Sequence, residues 1–202
     1  MIRELWNEKF SRDGYLYGKS PNVFLASQID LLLPGSELLF LGEGEGRNAC
    51  YAAKKGLRAT ALDASDTGIQ KAEALAAEMK VSIETLQADL TMWRPDRCYD
   101  AVMASFLHLK EPLRTLAFHM ALKALKPSGF FVAEFFSTEQ LPLSSGGPKD
   151  VDLLYTVDSL RDIFMVPDAQ IVMLEAVVNT LHEGTGHQGE AELIRVIVQK
   201  SS

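Results

Sequence analysis

Cysteine is almost missing from this chain: Cys50 and Cys98 are the only two in 202 residues, with no C-x-x-C pair and no histidine beside either. That scarcity excludes a disulfide-built scaffold and a thiolate metal cluster, so no metal is expected, and both thiols are read as reduced and structural. Long apolar runs are also missing. None approaches the ~18 residues that a membrane span requires, and Met1-Ile2-Arg3-Glu4-Leu5-Trp6 is too charged and amphipathic for a signal peptide. The expectation is a cytoplasmic protein with no membrane partner. Basic residues are outnumbered, 20 Lys and Arg against 27 Asp and Glu, for a net charge of −7 and a pI near 5.1. A nucleic-acid backbone is therefore not the expected partner. Repeats and low-complexity linkers are absent as well.

What remains is the composition of an ordinary globular chain, 47% apolar and 23% charged, long enough for one domain with a real core and short for two. Strand-like and helix-like patterns alternate from residue 38 onward. Residues 38–41, 57–62, 81–86, 101–104 and 130–135 read as five buried strands. Helical patterns fill 47–55, which ends in Lys54-Lys55-Gly56, the stretch after the capping residue Ser65, and 112–123. Lys126-Pro127-Ser128-Gly129 reads as a turn. The alternation then stops: 137–152 is rich in Pro and Gly, a short helix covers about 157–164, and residues 171–178 and 193–198 form two strands. The dozen or so residues between those two are too few for a parallel crossover, so they pair antiparallel. The expected fold is α/β: a doubly wound, mostly parallel seven-stranded sheet with helices on both faces and an antiparallel last strand. One domain spans 1–202, with 1–36 as a helical cover and 37–202 as a Rossmann-like core.

In such sheets ligands sit outside the carboxyl ends of the strands. The residues found there are chemically distinctive: Gly42-Glu43-Gly44-Glu45-Gly46 after the first strand, Asp63 at the end of the second, Asp89 after the third, Ser105 and His108 after the fourth, and Glu134 near the end of the fifth. Asp63 follows Gly42 by about the 20 residues expected of an acid that holds ribose hydroxyls. Ser65 is better placed to cap the next helix, which leaves the Asp63 carboxylate for a ligand. Asp89 reads either as an Asx turn before Thr91 or as a carboxylate near an adenine amine, with Leu90 against the ring face. Gly44-Glu45-Gly46-Arg47-Asn48-Ala49 satisfies G-x-G-x-x-A, so a nicotinamide or flavin dinucleotide is one candidate. Its pyrophosphate would sit at a helix N-terminus, where Glu43 and Glu45 repel it. S-adenosylmethionine carries no phosphate but has a sulfonium and an ammonium, and the glutamates favour it. Their plainer role is to complement a helix dipole.

These residues, in this order, resemble a class I S-adenosylmethionine-dependent methyltransferase over the whole chain. Trp6-x-x-x-Phe10 with Tyr15-x-Tyr17-Gly18-x-x-Pro21-Asn22, Glu43-Gly44-Glu45-Gly46-Arg47-Asn48, Gly146-Gly147-Pro148-Lys149-Asp150 and His187-Gln188-Gly189 are similar to the small bacterial branch related to tellurite-resistance and thiopurine methyltransferases. The resemblance implies a cofactor site made by Trp6, Tyr17, Gly42, Glu43, Gly44, Gly46, Asp63, Ala64, Asp89, Leu90 and Ser105, with the N-terminal aromatics closing over it. One departure stands out: the acid common two residues before the first glycine is Phe40 here. Glu43 is expected to take over its contact with the methionyl amine.

Methyl transfer from a sulfonium is an in-line displacement on an activated carbon, so no triad is required and a base helps only when the acceptor starts protonated. His187, in the loop before the last strand, and His108 are the candidates on the substrate side. His119 and His182 are given no role, and 146–150 and 182–190 are read as walls or lid. Asp/Asn-Pro-Pro-Tyr is absent after the fourth strand, as is a Pro-Cys nucleophile, so nucleic-acid amino and cytosine C5 methylation are set aside; two cysteines do not make a multi-thiol arsenic site. The expected function is methyl transfer from S-adenosylmethionine to a small molecule or metalloid anion, with Arg47 or Lys149 attracting an anion, by a monomer or homodimer. The alternatives are an NAD(P)-dependent oxidoreductase and a non-catalytic S-adenosylmethionine-binding protein.

Overall fold

Leu38, Leu39, Phe40 and Leu41 are all buried, as a strand covered on both faces requires. Because side chains alternate along a strand, Leu38 and Phe40 join one core cluster and Leu39 and Leu41 the other. A computed structural model describes residues 2–202. Its sheet contains β1 (Glu37–Leu41), β2 (Arg58–Asp63), β3 (Glu84–Gln87), β4 (Tyr99–Ser105), β5 (Leu125–Phe136), β6 (Ala169–Glu183) and β7 (His187–Lys200). The order is β3-β2-β1-β4-β5-β7-β6. Strands β1 to β5 are parallel, and β7 runs antiparallel to both β5 and β6. The expected doubly wound α/β architecture is the one observed.

Among the described residues six α-helices accompany the sheet: α1 (Ile2–Phe10), α2 (Val23–Ile29), α3 (Arg47–Lys54), α4 (Asp66–Met79), α5 (Leu113–Lys123) and α6 (Val157–Phe164). One core cluster joins Leu39, Val102 and Phe131 of the sheet to Phe118 of α5 and Phe164 of α6. The other joins Phe40, Ala61 and Met103 to Leu25 of α2 and Ala49 of α3. Phe40, at the position where an acid was looked for, is therefore a core residue facing α2 and α3. Helix α1 packs on α4, where Asn7 Oδ1 accepts from the Ser65 hydroxyl at 2.6 Å and Arg3 pairs with Asp66. Ser65 caps α4 as expected, accepting from Gly68 N–H at 3.0 Å. No helix among the described residues is long and apolar enough to cross a membrane.

Three expected boundaries are corrected. The third strand starts at Glu84, not near 81, because Lys80 takes a left-handed cap (φ 56°) and Val81 N–H returns to the Ala76 carbonyl at 3.0 Å, so α4 consumes those residues. The Lys126–Gly129 turn lies inside β5 as an irregularity: Tyr99 pairs with Leu125 and Ala101 with Phe130, and Ser128 adopts φ 62°. The dozen-residue loop between the last strands does not exist. The ladder runs from Ala169 opposite Lys200 to Glu183 opposite His187, leaving Gly184-Thr185-Gly186 as the tip. Near the tip Thr180, His182, Gln188 and Glu190 are exposed on the outer face while Leu181, Glu183, Ala191 and Leu193 are buried on the inner one, which masked the strand character there. His187 is thus the first residue of β7 and not a loop residue.

Candidate functional site

Beyond Leu41 the chain turns through Gly42, Gly44 and Gly46, all with positive φ. At Gly44 a Cβ would lie 2.8 Å from Phe10 Cζ, and at Gly46 2.6 Å from Ala72 Cβ, so glycine is demanded by close packing as well as by conformation. The turn is tied to β2: Asp63 accepts from Gly44 N–H at 2.8 Å with one carboxylate oxygen and from Ser65 N–H at 2.8 Å with the other. Burial nevertheless pushes the Asp63 carboxyl above the usual carboxylate range, against the lowering effect of those amides.

The two glutamates of the turn are held by the protein itself. Gly46 is the N-cap of α3 and offers no side chain, and Glu43 supplies the missing acceptor. Its Oε1 accepts from Asn48 N–H at 2.7 Å and Ala49 N–H at 2.8 Å, and its Oε2 from Asn48 Nδ2 at 3.1 Å. Burial pushes this carboxyl up to about 7, despite the same hydrogen bonds. Glu45 accepts from Leu16 N–H at 2.7 Å and pairs with Lys71 at 2.9 Å. The Leu16 carbonyl in turn accepts from Thr185 N–H at 2.9 Å and Gly186 N–H at 3.0 Å. One residue, Leu16, thereby joins the glycine turn to the tip of the β6–β7 hairpin.

An open cavity lies over the ends of these strands. Among the residues proposed from sequence, Trp6, Tyr17, Gly42, Glu43, Gly44, Asp63, Ala64, Asp89, Leu90, Ser105, His108 and His187 all line it. Gly46 does not; it serves the packing of α3 on α4. Asp89 makes the Asx turn, accepting from Thr91 N–H and Oγ1 at 2.8 Å each, and still reaches the cavity. Ser105 Oγ accepts from Asn48 Nδ2 at 3.2 Å.

Opposite the glycine turn, His187 Nδ1 lies 2.8 Å from Glu183 Oε2, and Arg47 Nη2 lies 3.0 Å from the same oxygen. All three residues are buried. Glu183 is held below the ordinary carboxylate range by His187 and Arg47, which together outweigh the larger opposing effect of burial. Burial lowers His187 although Glu183 acts the other way, so its ring is neutral with Nδ1–H donated to Glu183 and Nε2 left as an acceptor. Tyr17 and Phe106 flank this imidazole, each with ring centres 4.4 Å away. His108 stacks on Phe136, which also meets His187. Burial drives His108 down to about 3, and its Nδ1 is the one sealed side-chain nitrogen or oxygen without a hydrogen-bond partner among the described residues.

Glu183 escaped the sequence reading, because its pairing with Arg47 spans 136 positions; the Glu-Gly-Thr-Gly-His spacing across a tight tip was its only signal. Lys149 is placed elsewhere, exposed and donating to the carbonyls of Leu141 and Leu143. His119 lies 3.0 Å from the Ile163 carbonyl. Cys50 is buried and Cys98 exposed, so a structural role fits only Cys50. No cluster of metal-ligating residues occurs among the described residues.

Residues 38–129 match the family model described as a methyltransferase domain. A search of curated proteins found no match. Solved structures similar to the chain include one from work on conversion of a disulfide bond into a thioacetal group during echinomycin biosynthesis, at 18% identity and TM-score 0.78, covering 100% of this chain and 93% of that one. TehB from Haemophilus influenzae is similar at 15% identity and TM-score 0.72, covering 98% of this chain and 67% of that one. Magnesium protoporphyrin IX methyltransferase (ChlM) from Synechocystis PCC 6803, with bound SAH, is similar at 16% identity and TM-score 0.74, covering 99% and 98%. Over residues 38–129 the chain thus carries a match to a methyltransferase domain, and its seven-stranded sheet with antiparallel β7 is the Rossmann-like methyltransferase fold.

Proposed function

We propose that this chain is an S-adenosylmethionine-dependent methyltransferase acting on a small-molecule or metalloid-anion acceptor by in-line displacement. The observation that carries this reading is the Glu43 cap. In a dinucleotide-binding fold the N-terminus of the helix after the glycine turn receives a pyrophosphate. Here Asn48 N–H and Ala49 N–H are already given to a carboxylate, so a phosphate would meet both repulsion and occupied donors. A cofactor with an ammonium and no phosphate suits that end of the cavity, and the methyltransferase-domain match over 38–129 supports the same choice over an oxidoreductase.

When bound, S-adenosylmethionine supplies a methyl group already activated on a sulfonium. Asp63 spends one backbone amide on each oxygen and keeps lone pairs for ribose hydroxyls. Asp89 and Leu90 would hold the adenine, and the Gly42–Gly44 backbone the methionyl part. Glu43 Oε2, with a single protein donor, would hold the ammonium. Trp6 and Tyr17, which line the cavity, would close the site over the cofactor and exclude water. His187 Nε2 takes the proton of the acceptor while Glu183 and Arg47 fix the ring, an arrangement suited to general-base assistance. His108 contacts the acceptor.

A thermal-shift comparison of S-adenosylhomocysteine, NADH and ATP tests the assignment: S-adenosylhomocysteine alone raises Tm, and Asp63→Ala removes the shift. Stabilisation by NADH and not by S-adenosylhomocysteine would refute it. Cofactor binding without turnover on thiols, selenite, tellurite, amines and phenols would instead favour a non-catalytic binding protein.

A further inference from the structure

Resting on the methyl-transfer reading, we propose that Asn22 is a positioning residue: its side-chain amide holds Glu183 in the orientation that keeps the proton of His187 on Nδ1 and leaves Nε2 free to take the acceptor proton. Asn22 closes the stretch Tyr15-x-Tyr17-Gly18-x-x-Pro21-Asn22, and part of what it does there is ordinary. It is the N-cap of α2, with Oδ1 accepting from Leu25 N–H at 2.9 Å, and Ser, Thr or Asp would cap as well. The rest exceeds what a cap needs. The residue is buried, and its Nδ2 donates to Glu134 Oε1 at 2.7 Å and to Glu183 Oε1 at 3.3 Å. Among good caps only asparagine does both, since a hydroxyl has a single hydrogen and a carboxylate none.

Glu183 needs that donor because its two oxygens are unequally served. His187 Nδ1 and Arg47 Nη2 both lie against Oε2, at 2.8 and 3.0 Å. Glu183 also lines a second cavity, together with Ser20, Asn22, Glu134 and Thr180, whereas His187 lines the first. This carboxylate thus stands between two cavities. A buried carboxylate oxygen without a donor is costly, and the side chain would turn to water in the second cavity; the Asn22 amide at Oε1 removes the reason to turn. Glu134 anchors the amide, its Oε2 accepting from Arg195 Nε at 2.7 Å. The same stretch of chain secures the other two members of the group. The Tyr17 carbonyl accepts from Arg47 Nη1 at 3.4 Å, and the Tyr17 and His187 ring centres are 4.4 Å apart. Which nitrogen of a neutral imidazole holds the proton is set by the hydrogen bond the other makes. A turned Glu183 would release Nδ1–H and let the proton settle on Nε2, where it blocks the base. In the step so prepared, the acceptor proton passes to Nε2, the freed lone pair forms the bond to the methyl carbon, and the electrons of the broken sulfur–methyl bond stay on the cofactor sulfur.

The experiment reads the histidine tautomers of the full, cofactor-free chain by long-range proton–nitrogen NMR at about pH 8, where the buried ring is neutral. The His187 signals are identified by their loss in His187→Gln. The wild type is expected in the Nδ1–H form. Asn22→Ser keeps the cap and the backbone but has no amide, and should shift the ratio toward Nε2–H by about tenfold. Asn22→Asp, which also caps α2 but turns a donor toward Glu183 into an acceptor, should shift it the same way. A merely capping Asn22 would leave the ratio in both variants within about twofold of the wild type, and that result overturns the proposal. An Nε2–H ring in the wild type overturns it as well, even if neither variant folds. Failure of S-adenosylhomocysteine to raise Tm would overturn the methyl-transfer reading instead, and the two failures are told apart because the tautomers are read without cofactor.

Discussion

Replacing Glu43 by glutamine tests the cap and the ammonium contact together. In the folded protein burial raises this carboxyl from 4.5 to about 7. At ~1.4 kcal/mol per pH unit, the buried charge costs about 3 kcal/mol. The sign follows from which state holds the proton. Between pH 4.5 and 7 the unfolded chain releases it while the folded chain keeps it, so Glu43 removes stability as pH rises through that window, and the loss is complete above about 7. In Glu43→Gln the new amide oxygen still accepts from Asn48 N–H and Ala49 N–H. The new NH2, however, opposes Asn48 Nδ2, and the neighbouring Asn48 Oδ1 is already used by Asn22 N–H at 2.9 Å. That lost hydrogen bond costs ~1–2 kcal/mol at every pH. Urea unfolding of both proteins should therefore show Glu43→Gln less stable at about pH 5 and gaining about 2–3 kcal/mol on the wild type by about pH 8. Other groups cancel in the comparison. A stability difference that is the same at both pH values would show an ordinary, already ionised carboxylate and refute the reasoning. The same variant reads the ligand contact. Near neutral pH an ammonium placed beside Glu43 favours its ionised form, so calorimetry of S-adenosylhomocysteine binding should detect proton release in the wild type and none in Glu43→Gln.

His187→Ala should lower the methylation rate by ~10²–10⁴ while leaving S-adenosylhomocysteine affinity within about twofold; an equal loss of both would place the histidine in the cofactor site. Because burial lowers the His187 pKa from its ordinary value of 6.5, the wild-type rate should rise with pH only below that value and stay level above it, and a rate still climbing at about pH 8 would exclude this base. Gly46→Ala puts a Cβ 2.6 Å from Ala72 Cβ at φ 88° and should cost about 2–4 kcal/mol in urea, with a loss under ~1 kcal/mol contradicting the packing account. Cys98, exposed, should react with a thiol reagent in the native state and Cys50 only on unfolding.

The sequence alone determined the parts whose causes are local. Apolar runs such as Leu38–Leu41 had to be buried strands, Ser65 had to cap α4, the glycines after Leu41 had to turn sharply, and Asp63 and Asp89 fell at strand ends that a parallel sheet brings to one edge. Most of the cavity wall was legible for that reason, as was the fold. What only the tertiary structure decided is how buried charges are compensated, because their partners come from distant elements. Glu43, which looked like a ligand for a cation, caps α3, because Gly46 has no side chain to do so. Glu45 is spent on Leu16 and Lys71. Arg47, which looked free to attract an anion, is neutralised by Glu183 from the far hairpin, whose polar outer face hid the extent of its ladder. Hydrophobic periodicity and turn chemistry are written within a few residues of the elements they specify. The pairing of a buried ion is specified nowhere until the chain has folded around it.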